Sequence, residues 1–315
     1  MFGRAAPPGS GDLSDIGEDR PLLTLPAPGL SLGAITATNA ALLKSGAPIT
    51  AMNCVRKHVS AIKGGRLAVA CAPASVTTLA ISDVPGDDLA TIASGPTVAD
   101  PSTFAEAQAI VENYDIDLPR AVQKYLTNAI DETPKPGDPR LATARISLIA
   151  TARQSLEAAA AYTKSQGLTP IILGDDIEGD AREVAQRQAK LIHDMAPGGL
   201  LLSGGETTVT VRSTGRGGRN TEFLLALALC LEEMGSDADS VFALAGDTDG
   251  IDGTEDNAGA YLERGTLARA RAKGVDPAQA LQGNNAYEVF AAAGDLVTTG
   301  PTHTNVNDFR VILKL

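Results

Sequence analysis

Hydrophobic spacing divides the chain into alternating stretches of two kinds. Residues 35–45 and 49–62 repeat apolar positions every three to four residues, as helices do, and Ser45-Gly46-Ala47-Pro48 stops the first. TTLAISDV, residues 77–84, reads as a buried strand running into an acidic turn. Residues 102–130 have helical spacing with a break at Pro119. Then come a strand over 145–151, a helix over 155–167 closed by Gly167, a strand over 169–176 and a helix over 180–195. This β-α-β-α order predicts an α/β fold whose mostly parallel sheet is flanked by helices. From residue 197, GLLLSGG (199–205) and TTVTVRS (207–213) read as adjacent strands. A helix over 223–235, a strand running into a loop over 240–250, a short helix over 267–274 and strand character at both ends of 296–315 follow. The pattern places a domain boundary near residue 196, with a smaller α/β domain after it. Residues 1–21 are rich in Gly, Pro and Asp without apolar periodicity and read as disordered.

Composition narrows the partners. With 43% hydrophobic residues the chain can bury a full core, and its net charge of −12 disfavours nucleic acid and anionic membranes. An acidic protein that holds an anion must do so with a local cluster of cations. Cys54, Cys71 and Cys230 have unrelated spacings and read as reduced core residues of a cytoplasmic protein. No apolar run is long enough to span a bilayer, and the first residues lack a basic-then-apolar signal.

Four segments carry candidate chemistry. GRGGRNTE, residues 215–222, sets Arg216 and Arg219 among three glycines before a strongly apolar helix. Unpaired amides at the helix start and two guanidinium forks suit phosphate or carboxylate oxygens, with Asn220 beside them and Glu222 complementing the dipole. A solvated Gly/Arg turn is the plain alternative. DTDGIDGTEDNAGA, residues 247–260, has five acidic residues in ten positions after a strand, a density of hard oxygen ligands that suits Mg²⁺. Ile251 stands where a calcium loop of the EF-hand kind needs an oxygen ligand. SDVPGDDLATIASGPT (82–97) brings Asp83 to the end of a buried strand. NCVRKHVSAIKGGRLA (53–68) concentrates Arg56, Lys57, Lys63 and Arg66, and helical spacing would put Arg56 and Lys63 on one face. His58 reads as a core histidine more readily than as a base, and His303 lies in a Gly/Thr/Asn loop. No phosphate-loop motif, dinucleotide fingerprint, nucleophile elbow or zinc signature is present.

In order along the chain, these segments together with LLSGGETTVTV and TGPTHTNVNDFRV resemble the glycerate 2-kinases of the MOFRL type, whose members are also labelled hydroxypyruvate reductases. The resemblance runs from about Leu22 to the C-terminus. It implies ATP- and Mg²⁺-dependent phosphorylation of D-glycerate to 2-phosphoglycerate, in the cytoplasm, by a Rossmann-like α/β domain (22–196) followed by a MOFRL-type α/β domain (197–315). It further implies catalytic roles for Arg219, Asp249 and Lys63. Arg216, Asn220, Arg66, Asp83 and His303 become candidate substrate or phosphate ligands, and Asp247, Asp249 and Glu206 candidate metal ligands. Family members begin with about a hundred further residues, the size of a small domain, which carry a glycine-rich turn and a lysine. Residues 1–21 match neither, so an N-terminally truncated chain with impaired activity is expected. A reductase using NAD(P)H, a non-catalytic remnant that binds a metabolite, and association into a homo-oligomer all stay open.

Overall fold

A computed structural model describes residues 24–235 and 240–315; the disorder expected for residues 1–21 lies outside them. The described residues form two compact units, one of residues 24–80 and 87–149, the other of residues 81–86, 150–235 and 240–315.

The first unit is mainly helical. Its helices are α1 (Leu32–Lys44), α2 (Ile49–His58), α3 (Arg66–Cys71), α4 (Phe104–Asn113) and α5 (Arg120–Asn128). Ser31 caps α1, and Thr103 with Glu106 forms a reciprocal capping box on α4. Pro119 sits just before α5, where its missing N–H costs nothing. Ile35, Leu42, Val55, Phe104, Val122 and Leu126 bring α1, α2, α4 and α5 around one apolar core. Strands β1 (Val76–Ser82) and β2 (Ala144–Thr151) pair with each other, and the chain passes between the units within them.

The expected helix over 49–62 is shorter: α2 ends at His58. The backbone of Val59 and Ala61 bonds instead to Ala27 and Leu25, and Gly64 and Gly65 then turn left-handed. Arg56 and Lys63 therefore do not share a helix face. His58 is buried, as expected of a core histidine: its ring lies edge-on to Phe104, with Nδ1 2.8 Å from the Cys54 carbonyl and Nε2 2.9 Å from Glu132.

The second unit is a three-layer α/β structure. Its strands are β3 (Thr169–Gly174), β4 (Gly179–Asp180), β5 (Gly199–Gly205), β6 (Thr207–Thr208), β7 (Val241–Asp247), β8 (Gly259–Leu262), β9 (Leu296–Val297) and β10 (Asp308–Lys314). Its helices are α6 (Ala152–Ser165), α7 (Ala181–Asp194), α8 (Arg219–Met234), α9 (Thr266–Ala272), α10 (Pro277–Gln282) and α11 (Ala286–Ala293). Six strands form one sheet in the order β3-β5-β10-β7-β8-β9. The fold is α/β with helices on both faces, as predicted, but the sheet is mixed. Only β3 and β5 pair in parallel in it: β10, from the end of the chain, inserts antiparallel between β5 and β7, and β8 and β9 also join antiparallel. The expected partnership of 199–205 with 207–213 is also absent. β6 is two residues long and pairs with β4, while Asn284 fixes the next stretch by accepting from the Arg212 N–H and donating to the Thr210 carbonyl.

Alternation along β5 and β10 divides the core between the faces. Leu200, Leu202, Val311 and Leu313 meet α6, while Leu201 and Ile312 join α7, α8 and α11 on the other face. Helix α8 is apolar nearly all round because it is enclosed on nearly all sides. Replacing its fully buried Leu227 with Ala leaves a cavity. The transition of this unit in urea should lose about 2–5 kcal/mol, and a loss below about 1 kcal/mol would contradict the packing described.

Candidate active site

Where β5 and β7 end and β10 begins, the sheet brings three charged positions together. Asp308 of β10 stands opposite Asp247 of β7 on one side and Gly205, next to Glu206, on the other. Two carboxylates facing each other across neighbouring strands repel. Arg219, the first residue of α8, resolves the conflict. Its Nε donates to Asp308 Oδ1 at 2.8 Å, one terminal nitrogen to Asp247 Oδ2 at 2.7 Å, and the other to Glu206 Oε1 at 2.5 Å. Its side chain keeps 22% exposure and Glu206 keeps 56%, so Glu206 is the loosest of the three partners. Three carboxylates raise the guanidinium's proton affinity despite its burial.

The helix start differs from the sequence expectation. Its amides are not bare: Asp252, from the acidic loop, accepts from Asn220 N and Thr221 N, each at 2.9 Å, and from the Thr221 hydroxyl. The protein's own carboxylate therefore fills the place where a ligand anion was expected. The glycines follow from this crowding. A side-chain carbon on Gly218 would lie 2.4 Å from Asp252, and one on Gly215 would lie 2.2 Å from the Gly283 carbonyl oxygen. Asn220 is buried and donates to Asp308 at 2.8 Å. Glu222 does more than complement a dipole: it is buried, accepts from Arg182 Nε at 2.7 Å and from Asn284, and burial raises its carboxyl.

Arg216 is 54% exposed but engaged, bonding to Glu255 and lying over the Tyr287 ring at 4.2 Å. The Arg216 carbonyl accepts from Tyr287 N and its N–H donates to Asn285, so Arg216 secures the loop. Asp249 adjoins the cluster; its N–H donates to Asp247 Oδ1 at 3.1 Å, and its carboxylate accepts from Ile251 N. The Asp83 carbonyl accepts from Asn307, the neighbour of Asp308. His303 is exposed in the loop before β10, with a left-handed backbone.

Lys63 and Arg66 belong to the other unit. Lys63 donates to the Ala93 carbonyl and the Ser94 hydroxyl, and buried Arg66 holds the carboxylate and carbonyl of Asp131. Sequence reasoning missed Asp252, Asp308 and Arg310. Asp308 and Arg310 lie in the quoted TNVNDFRV segment, where two charges spaced by one residue in an otherwise apolar strand are the readable signal.

Among the described residues, no group of three or more His, Cys, Asp or Glu side chains is arranged to hold an ion. Arg219 already engages the carboxylates of Glu206 and Asp247.

Fold and cluster define the class, an α/β protein with a partly buried arginine–carboxylate cluster at the strand ends where such folds bind ligands. Residues 199–308 match the MOFRL family and residues 17–127 a domain of unknown function, DUF4147. A protein of Agrobacterium vitis that carries a hydroxypyruvate reductase name is 51% identical, over 93% of this chain and 67% of its own length. The D-glycerate 2-kinase of Thermotoga maritima is 38% identical, over 91% of this chain and 68% of its own. The crystal structure of a Thermotoga maritima glycerate kinase superposes with a TM-score of 0.84 at 37% identity, covering 93% of this chain and 70% of that one. The chain belongs to the glycerate 2-kinase family of the MOFRL type.

Two outcomes check the cluster. Burial, opposed by Arg219, pushes the Asp247 carboxyl up to about 7. A raised carboxyl binds its proton more tightly in the folded state, so this group's contribution falls as pH rises from about 4 to about 7. Over that range wild type should lose stability relative to Asp247→Asn, measured as the difference in urea midpoints; a constant difference would refute it. Gly218→Ala should cost about 1–3 kcal/mol by pushing Asp252 off the helix start, and an unchanged melting temperature would contradict the close approach.

Proposed function

We propose that this chain transfers the γ-phosphoryl group of ATP to the C2 hydroxyl of D-glycerate. The observation that carries the reading is the Arg219 cluster in a chain 38% identical to a D-glycerate 2-kinase. Phosphoryl transfer asks mainly for positioned donor and acceptor and for neutralised charge. Arg219 can supply both once an anionic oxygen takes the place of half-exposed Glu206, leaving Asp308 and Asp247 to hold the guanidinium. Asp247 is suited to accept the hydroxyl proton, because burial brings its affinity to about 7, near working pH. Asp249 adjoins it. Magnesium belongs to this reading as part of the Mg-ATP substrate, and Asp247, Asp249 and Glu206 are its proposed ligands, of which one or two carboxylates beside the phosphates suffice. Lys63 remains a proposed catalytic residue, and Arg66, Asp83 and His303 remain proposed contributors to substrate binding. Arg216 is better read as the residue that secures the loop.

A reductase reading follows from the name of the Agrobacterium relative alone, and the sequence offers no dinucleotide fingerprint for it. A cytoplasmic setting is part of the proposal, in keeping with the acidic composition and the free Cys54, Cys71 and Cys230.

The purified chain, given D-glycerate and Mg-ATP, should form 2-phosphoglycerate, visible by its phosphorus resonance. Arg219→Ala should lower kcat/KM by about 100- to 1000-fold. NADH oxidation with hydroxypyruvate, in the absence of any phosphorylated product, would overturn the reading in favour of a reductase. Binding of glycerate by calorimetry with no turnover would overturn it in favour of a non-catalytic binder.

A further inference from the structure

We propose that Arg310, acting through Asp308, is a positioning residue for Arg219; its kinetic consequence rests on the kinase reading above. Arg310 lies in β10 between Ser203 of β5 and Ala245 of β7, and it is fully buried. One terminal nitrogen donates to Asp308 Oδ2 and to the Thr207 hydroxyl at 3.0 Å. The guanidinium lies over the Phe223 ring, 5.2 Å from its centre. Its Nε and other terminal nitrogen have no hydrogen-bond partner among the described residues. An arginine enclosed in this way is a costly way to fill a core, and an apolar side chain of similar volume would pack at least as well. What it supplies that methionine cannot is a second cation for Asp308.

Asp308 divides its two oxygens between two tasks. Oδ2 faces inward to Arg310 and accepts from Thr207 N at 3.3 Å, while Oδ1 takes Arg219 Nε and the Asn220 amide, both at 2.8 Å. Arg310 holds the inner oxygen, so the outer one is fixed toward Arg219. Without that hold the carboxylate can turn and take Arg219 through both oxygens. The guanidinium would then be drawn away from Asp247. Arg310 therefore sets which way the Arg219 fork faces, without touching a substrate itself.

The test compares Arg310→Met and Arg310→Lys with wild type in the full chain. Arg310→Met should lower kcat by about 10- to 100-fold, the range found for partners that orient a functional group, with KM for glycerate and for ATP within about twofold. Arg310→Lys, which keeps the charge, should recover part of that loss. In an Asp308→Asn background, adding Arg310→Met should change kcat by less than about twofold. Independently of activity, the Arg219 Nε–H, assigned by its loss in Arg219→Lys, should exchange slowly in wild type and fast in Arg310→Met. A folded Arg310→Met with unchanged kcat and a protected Nε–H overturns the proposal, as does full additivity with Asp308→Asn. If Arg310→Met does not fold, Arg310→Lys decides, because a single ammonium on a shorter stem cannot reproduce the guanidinium's aim at Asp308 Oδ2. A severalfold loss of kcat with faster Nε–H exchange supports the relay, and no change in either overturns it. Should wild type form no 2-phosphoglycerate, the kinase reading fails, and the exchange measurement alone decides the positioning role.

Discussion

The second unit depends on one guanidinium placed between two carboxylates. Asp247 and Asp308 are opposite one another on adjacent strands, both nearly excluded from water, and Arg219 reaches each within 2.8 Å. Two carboxylates facing each other at that spacing repel, and the cation between them offsets the repulsion. Because Arg219 opens α8, the same contact fixes where the largest core helix begins over the sheet. Charge balance and packing are thus set by one side chain, and its surroundings follow. Asp252 occupies the helix amides, Asn220 and Arg310 complete Asp308, and glycines stand where the acidic loop and the α10–α11 turn press against the chain.

The charge of Arg219 is already met from within, and that shapes how it can act. A loop of bare cations would bind any anion. Here every donor of Arg219 that is engaged already meets a carboxylate, and one of those, Glu206, is largely open to water. On the proposed reading, a ligand competes with Glu206 for a fork that is already oriented, which favours a group of matching geometry over a merely negative one.

The first unit follows the same rule on a smaller scale. Lys57 reaches buried Asp100, which also accepts from Ser102 and Thr133, and Arg66 meets Asp131. Glu132 accepts from His58, Phe104 N and Thr133 N; burial pushes its carboxyl up, but these donors with Lys135 outweigh burial and hold it at about 2. Of the four cations concentrated in residues 53–68, Lys57 and Arg66 thus meet acids within the fold.

Local pattern determined a good deal. Helical spacing marked α1, α4, α5, α6 and α7 closely, with Pro119 separating α4 from α5, and apolar runs marked β2, β3, β5 and β7. The GRGGRNTE and DTDG segments pointed to Arg219, Asp247 and Asp249, because charge and glycine at strand ends are visible in one dimension. Partnership was decided elsewhere. Nothing near residue 308 says that β10 will insert between β5 and β7, so the mixed sheet, the Asp247–Asp308 pairing and the burial of Arg310 arise only when residues far apart in sequence come into register. For the same reason the helix start looked open, since the acid that fills it, Asp252, comes from 31 positions along the chain. Spacing along a chain records what each segment can do alone, whereas the neutralisation of buried charge depends on which segments meet.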